Sequence, residues 1–224
     1  MELLEFARGP ALAASFVVFV VGVAWRLYGI FRHAGKVDYS EPRDTSVASG
    51  ALRAIVSKMW PERTFRERSF AATVNAYAYH IGLAIVFFGF APHIGFIERL
   101  TGLAWPPVPG WLFVVGVGLV FLGMINALVA RLSSPVLRLL SNFDDYASWV
   151  VVMLPMLTGM ALPTLALTSR YPAVPLDPVP VAIHLLSVEL LLVWLPFGKL
   201  SHAFLVFLAR GTTGARFARR GAAS

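Results

Sequence analysis

The sequence contains no cysteine and few charged residues, and each absence excludes a class of protein. Without thiolates the chain cannot ligate an iron–sulfur cluster, form a disulfide or use cysteine as a nucleophile. Only 14% of its residues are charged, whereas soluble domains carry about 25%. Hydrophobic residues make up 58% of the chain, and the mean hydropathy is +0.71. A water-soluble globule is therefore excluded.

The sequence is instead rich in long apolar runs. Five of them are long enough to cross a bilayer, which takes about 20 residues. They cover approximately residues 10–31, 71–95, 110–130, 146–168 and 180–209. Irregular backbone cannot face lipid, so these runs predict an all-α integral membrane protein with a bundle of five transmembrane helices. No second domain is visible, and residues 1–224 are expected to form a single transmembrane domain.

The distribution of Lys and Arg predicts the orientation of this bundle. Sixteen of the 19 basic residues fall within residues 26–68, 131–138 and 199–220, which the five spans place on one side of the membrane. Because cytoplasmic loops carry the excess of Lys and Arg, the N-terminus is expected outside and the C-terminus in the cytoplasm. The protein is thus predicted to be a multi-pass protein of the cytoplasmic (inner) membrane. The net charge of +7 reports topology rather than nucleic-acid binding.

The cytoplasmic connection, about residues 32–70, contains apolar residues at helical spacing beside Arg53 and Lys58. This pattern predicts a short basic amphipathic helix at the membrane surface. It could anchor the chain to lipid headgroups, dock a cytoplasmic partner, or do both.

Four of the five histidines fall on two predicted spans, and His33 lies in the cytoplasmic connection. His80 and His93 are on the second span, and His184 and His202 are on the fifth. Ionisable side chains within a bilayer are functional candidates, although a packing role is the alternative. Haem iron is commonly held by axial histidines, and helix bundles hold cofactors between facing helices.

Depth in the membrane predicts how the histidines pair. His184 and His202 are 18 residues apart, which on one continuous helix is five turns and about 27 Å. The implied pairs of haem iron ligands are His80 with His202 and His93 with His184. His80 and His93 differ by about 220° around a straight helix, but Pro92 can kink or end that helix and turn His93 inward.

The residues around these histidines resemble the gamma subunit family of respiratory nitrate reductases. The similarity lies in Ala182-Ile183-His184-Leu185-Leu186, in the run from Trp194 to His202 (WLPFGKLSH), and in Tyr79-His80-Ile81-Gly82. That family's second histidine on this helix corresponds to Phe90 here, so that His93 is the available replacement. The resemblance also extends to the heterodisulfide-reductase-like and hydrogenase-linked relatives of that family.

This resemblance implies a membrane cytochrome b with two b-type haems. Such a subunit exchanges electrons between quinone and the iron–sulfur clusters of a cytoplasmic partner, nitrate-reductase-beta-like or heterodisulfide-reductase-like, and leaves substrate catalysis to partner subunits. A haem-free membrane anchor or assembly subunit is the alternative. The quinone is expected beside His93 and His184, near the connection 95–110, where Trp105 and Trp111 could form walls. Glu189, on the fifth span, could relay protons or be hydrogen-bonded as a structural residue.

Overall fold

The computed structural model of the chain describes residues 2–32, 39, 41–43, 46–162 and 177–222. This part is helical and contains no strand, which confirms the all-α prediction for the described residues. Single 3-10 turns occupy Arg63–Phe65 and Lys199–Ser201. The helices are α1 (Leu3–Arg32), α2 (Val47–Ser57), α3 (Arg66–Gly89), α4 (Ala91–Thr101), α5 (Gly110–Ser133), α6 (Pro135–Leu140), α7 (Phe143–Met160), α8 (Pro178–Trp194) and α9 (His202–Arg219).

Three segments of the described chain are long and apolar enough to cross a membrane, namely Leu3–Arg32, Arg63–Gly89 and Gly110–Ser133. A fourth is present if α8 and the segment Lys199–Arg219 together form one interrupted span. Helix α7 is less apolar because Asp144 and Asp145 occupy its first turn, and residues 163–168 of the predicted fourth span lie outside the described residues. The structure therefore supports a membrane protein with three or four candidate spans. Five spans and the orientation of the termini stay predictions.

The predicted second span, residues 71–95, is not one straight helix, in keeping with the expectation that Pro92 can kink or end it. Helix α3 ends at Gly89, Phe90 has extended backbone angles (φ −86°, ψ 125°), and a new helix begins at Ala91. Pro92 lies in the first turn of α4, where its missing N–H costs nothing because the first four N–H groups of a helix have no partner in the helix. His93 is therefore on a separate helix from His80.

The assumption that one continuous helix covers residues 180–209 is wrong. Helix α8 ends at Trp194, residues 195–198 form turns, and α9 begins at His202. Pro196 has no N–H to donate, and a proline at an interior position kinks or breaks an α-helix. The predicted separation of five helical turns between His184 and His202 assumes a continuous helix. Because the helix is interrupted between them, this separation does not hold.

The chain forms two compact units, one made of Met1–Val18 with Val74–Trp194 and the other of Phe19–Thr73 with Leu195–Ser224. In the first unit α3 and α5 pack closely, since a Cβ on Gly82 would lie 2.6 Å from the carbonyl oxygen of Gly116. Its core consists of Val86, Phe113, Val120, Met124, Met153 and Met156. Arg131 forms an ion pair of 2.8 Å with the buried Asp145. Asp145 also accepts the backbone N–H of Asn142 at 2.9 Å, as part of a capping box at the start of α7.

In the second unit, α2 packs along α9 through small residues. The sequence Gly-x-x-x-Ala occurs on both helices, at Gly50 and Ala54 and at Gly214 and Ala218. A Cβ on Gly214 would overlap Ala54 Cβ and the Gly50 carbonyl oxygen. Small residues allow helix backbones to approach closely. The predicted amphipathic helix is thus present as α2, and one of its faces is covered by α9.

Candidate functional site

In the first unit, the structure brings His93 and His184 together. Their ring centroids are 6.2 Å apart and their ring planes differ by 10°. Two imidazoles that ligate one metal ion from opposite sides have centroids about 6 Å apart, because each metal–nitrogen bond is about 2 Å and each ring radius about 1 Å. The predicted proximity of the two histidines is confirmed. Their role as ligands stays a prediction.

The second nitrogen of His93 is held by the end of α3. His93 Nδ1 lies 3.0 Å from the carbonyl oxygen of Val86, one of the last four carbonyls of that helix, which have no helical donor. A carbonyl only accepts hydrogen bonds, so Nδ1 carries the proton and Nε2 carries the lone pair. This is the tautomer in which histidine binds a metal through Nε2. The helix break at Phe90 therefore supplies the partner that fixes His93.

His184 is held in a comparable way by hydroxyl groups. Thr158 Oγ1 lies 3.1 Å from His184 Nδ1 and donates its proton to the Leu154 carbonyl at 2.7 Å. Ser187 Oγ lies 3.0 Å from Thr158 Oγ1 and donates to the His184 carbonyl at 2.6 Å. Since the Thr158 proton is used elsewhere, its oxygen accepts the N–H of His184 Nδ1, and Nε2 again carries the lone pair.

Gly159 leaves room for the His184 ring. A Cβ on Gly159 would lie 3.1 Å from His184 Cε1, which is closer than ordinary van der Waals contact. Helix α7 therefore contributes both a hydrogen-bond partner and a gap for the imidazole. Sequence reasoning missed Thr158, Ser187 and Gly159. The available signal was the adjacent Thr158 and Gly159 in a helix that is otherwise mostly apolar.

Aromatic residues surround His93. Phe90 contacts the His93 ring edge-on, with centroids 5.3 Å apart, and stacks on Phe113 at 4.4 Å. Phe87 lies 5.8 Å from His93. Phe90, at the position where the resemblance expects a histidine, thus packs against the histidine that is present. These rings give one side of the pair an apolar environment.

The connection after α4 folds back on the end of α3. Trp105 Nε1 donates to the Phe88 carbonyl at 2.6 Å, and the Val108 N–H donates to the Gly89 carbonyl at 3.0 Å. Together with His93, these donors satisfy three of the last four carbonyls of α3. Trp105 is one of the two residues expected to wall a quinone pocket, and its indole N–H donates to the Phe88 carbonyl. Trp111, the other candidate wall, is 69% exposed.

His80 and His202 lie in different units, so their predicted pairing stays a prediction. Both side chains are exposed. His80 Nδ1 is 2.6 Å from the Ala76 carbonyl, and His202 Nδ1 is 2.9 Å from the Lys199 carbonyl. Each carbonyl requires a proton on Nδ1. All four histidines are thus oriented by an oxygen at Nδ1, as metal-ligating histidines are.

Two observations limit the kinds of site in the described part of the chain. No group of three or more His, Asp or Glu side chains there could hold a metal ion. Glu189 is buried, and within the same residues its Oε1 has no hydrogen-bond partner. The alternative that Glu189 is a hydrogen-bonded structural residue is therefore not supported by a hydrogen bond at Oε1.

Comparison with known proteins finds one similar chain along the full length. A protein of Nitratidesulfovibrio vulgaris (strain Hildenborough) is 29% identical over 226 residues, which cover 98% of this chain and 96% of the relative. The relative is described only by the word "Protein". No protein-family model matches the chain. No solved structure matches it significantly.

Proposed function

We propose that this protein is a haem b-binding membrane subunit of a quinone-linked oxidoreductase. It transfers electrons between the quinone pool and a cytoplasmic iron–sulfur partner, which carries the substrate chemistry. The observation that supports this most directly is the pair His93 and His184, with centroids 6.2 Å apart and a protonated Nδ1 on each ring. The resemblance of the residues around His80, His184 and His202 to a family of di-haem membrane subunits supports it independently.

The donor set fits haem better than a bare metal ion. A structural zinc site has four protein ligands, whereas the described residues offer no cluster of three. Haem would supply four ligands itself, and His93 and His184 would be the two protein ligands that hold it. His80 and His202 are the proposed ligands of a second haem. When bound, haem supplies one-electron transfer.

The chain's own residues hold the two imidazoles in position. Val86 and Thr158 orient His93 and His184 and keep Nε2 of each ring unprotonated. An acceptor at Nδ1–H makes an imidazole more basic and a better ligand. Phe87 and Phe90 pack beside His93 and exclude water from that side of the site.

The proposed quinone site is next to His93, at the connection 95–110. The proposed partner site is on the side of His80 and His202, where the basic residues concentrate. Quinol oxidation at the first location would release protons on the opposite side from the partner. Moving each electron inward would then be worth about 2.3 kcal/mol per 100 mV of membrane potential.

Haem content is the direct test. The full-length protein, expressed in a haem-replete host and purified in detergent, is expected to give a b-type reduced-minus-oxidised spectrum and two haems per chain by pyridine haemochrome. His93→Ala and His184→Ala should each remove the same haem, and His80→Ala and His202→Ala the other. His33→Ala is the control and should retain both. Folded protein without haem would contradict the proposal and favour the anchor or assembly subunit.

A further inference from the structure

The second unit contains a cavity between α2 and α9. Its volume is about 280 Å³, and its walls are formed mostly by apolar groups of Ala54, Ala209, Gly214 and Phe217. Lys58, Arg210 and Thr213 also line it. The cavity thus places two positive charges and a hydroxyl next to an apolar surface. The histidine pair belongs to the first unit.

Within the described residues, the two charges at this cavity have one distant counter-ion between them. Arg210 is half-buried, and within the described residues it forms no hydrogen bond or ion pair. Lys58 has only a long contact of 3.9 Å with the exposed Glu62. Neither α2 nor α9 contains Asp or Glu, and residues 195–224 contain none. A partly buried guanidinium without a counter-ion is costly, so an anion is the expected ligand.

We propose that this cavity binds the phosphate of an anionic phospholipid, with the adjoining hydrocarbon lying on the apolar wall. The lining matches a molecule that carries a negative charge directly beside an apolar chain. Free phosphate would satisfy Lys58 and Arg210 but would leave the walls around Ala209 and Phe217 unused. Basic pockets between the helices of membrane proteins commonly hold such headgroups.

The outer face of α2 supports a lipid as the occupant. Leu52 and Val56 are 64% and 61% exposed, and they lie on the side of α2 opposite Gly50 and Ala54, which contact α9. Arg53 is exposed beside them. An exposed apolar face flanked by basic residues is the pattern of a helix that lies in the headgroup region. The cavity and this face would therefore meet the same lipid layer.

The test measures lipid binding to the full-length protein in detergent. Phosphatidylglycerol, phosphatidylcholine and inorganic phosphate are titrated separately, and binding is followed by native mass spectrometry and by the melting temperature. We expect phosphatidylglycerol to bind and to raise the melting temperature, and the other two to bind at least tenfold more weakly. Lys58→Gln and Arg210→Gln should each weaken phosphatidylglycerol binding about fivefold.

Two further variants separate the cavity from general surface charge. Ala209→Trp fills the cavity without removing a charge and should reduce phosphatidylglycerol binding as strongly as Arg210→Gln. Arg53→Gln removes a charge of α2 that does not line the cavity and should leave binding within twofold of the wild type. Equal loss in Arg53→Gln and Arg210→Gln, or equal binding of phosphatidylcholine and phosphatidylglycerol, would overturn the proposal. So would phosphate binding as tight as that of the lipid, or normal lipid binding by Ala209→Trp.

Discussion

The Thr158 hydroxyl lies at Nδ1 of His184, whereas Nδ1 of His93, His80 and His202 lies at a backbone carbonyl. A backbone carbonyl cannot be removed by substitution, whereas a hydroxyl can. Thr158 therefore allows the orientation of a proposed ligand to be tested without removing the ligand. Its partner Ser187 contacts both Thr158 and the His184 backbone, so it provides a second, weaker perturbation.

We predict that Thr158→Val weakens haem binding at the His93–His184 site. The substitution removes the hydroxyl acceptor at the Nδ1–H of His184 and makes the ring a poorer ligand, and such substitutions cost about 10–100-fold in metal affinity. The reduction potential of that haem should rise, because a less basic ligand stabilises the oxidised iron less. Haem titration and optical redox potentiometry measure both effects. Thr158→Ser should restore wild-type values, and a Thr158→Val protein with unchanged potential and affinity would exclude the positioning role.

At the scale of helices, the position of His93 depends on how α3 ends. The indole of Trp105 and the N–H of Val108 occupy the carbonyls of Phe88 and Gly89, and His93 occupies that of Val86. A Cβ on Gly89 would lie 2.8 Å from the Val108 side chain, so the connection approaches α3 closely at this point. The end of α3 and the start of α4 are thus held together by contacts from 15 to 20 residues further along the chain.

We predict that Trp105→Phe loosens this helix end and disturbs His93. The substitution keeps an aromatic ring near Phe88 but leaves the Phe88 carbonyl without its donor, which costs about 1 kcal/mol. Amide hydrogen exchange of residues 86–94 should become faster, and haem bound at His93 should be lost more readily. Trp111→Phe is the matched control, since Trp111 is largely exposed. Equal exchange in the two variants would contradict the assigned role of Trp105.

The packing of α2 on α9 gives a second prediction at this scale. Gly214→Val should destabilise the second unit by about 1–3 kcal/mol, the usual cost of overpacking, because its side chain would overlap Ala54 and the Gly50 carbonyl. A lower midpoint of unfolding in denaturant is the expected result. Gly118→Ala is the control, since a Cβ there meets nothing within 4 Å. A Gly214→Val protein as stable as the control would show that the two helices do not pack closely in solution.

The sequence predicts that these residues are helical, but it does not determine where each helix is interrupted, for a physical reason. An apolar run indicates only that the segment can be buried in lipid or in a protein core. Residues 71–95 and 180–209 are apolar along most of their length, so their composition does not show where a helix ends. Whether a helix continues past Phe90 depends on donors such as Trp105, whose position follows from the tertiary fold. Pro92 and Pro196 mark the breaks locally, but a proline inside an apolar run is also compatible with a kinked helix.

At the scale of the whole molecule, the account rests on histidines that the sequence alone selected. The proximity of His93 and His184 was predictable from their depth and from Pro92. The roles of Thr158, Ser187 and Gly159 were not, because they depend on which face of α7 meets α8. The division into two units was likewise not visible in the sequence, since each unit combines segments that are distant along the chain.

The central claim is that His93 and His184 are the two axial ligands of one haem. Electron paramagnetic resonance of the oxidised, full-length protein tests it most directly. For the wild type, the account predicts low-spin ferric signals of two haems, each with two imidazole ligands. In both His93→Ala and His184→Ala, one of these signals should disappear, and one haem per chain should remain. Two unchanged low-spin signals in either variant, with full haem content, would contradict the account.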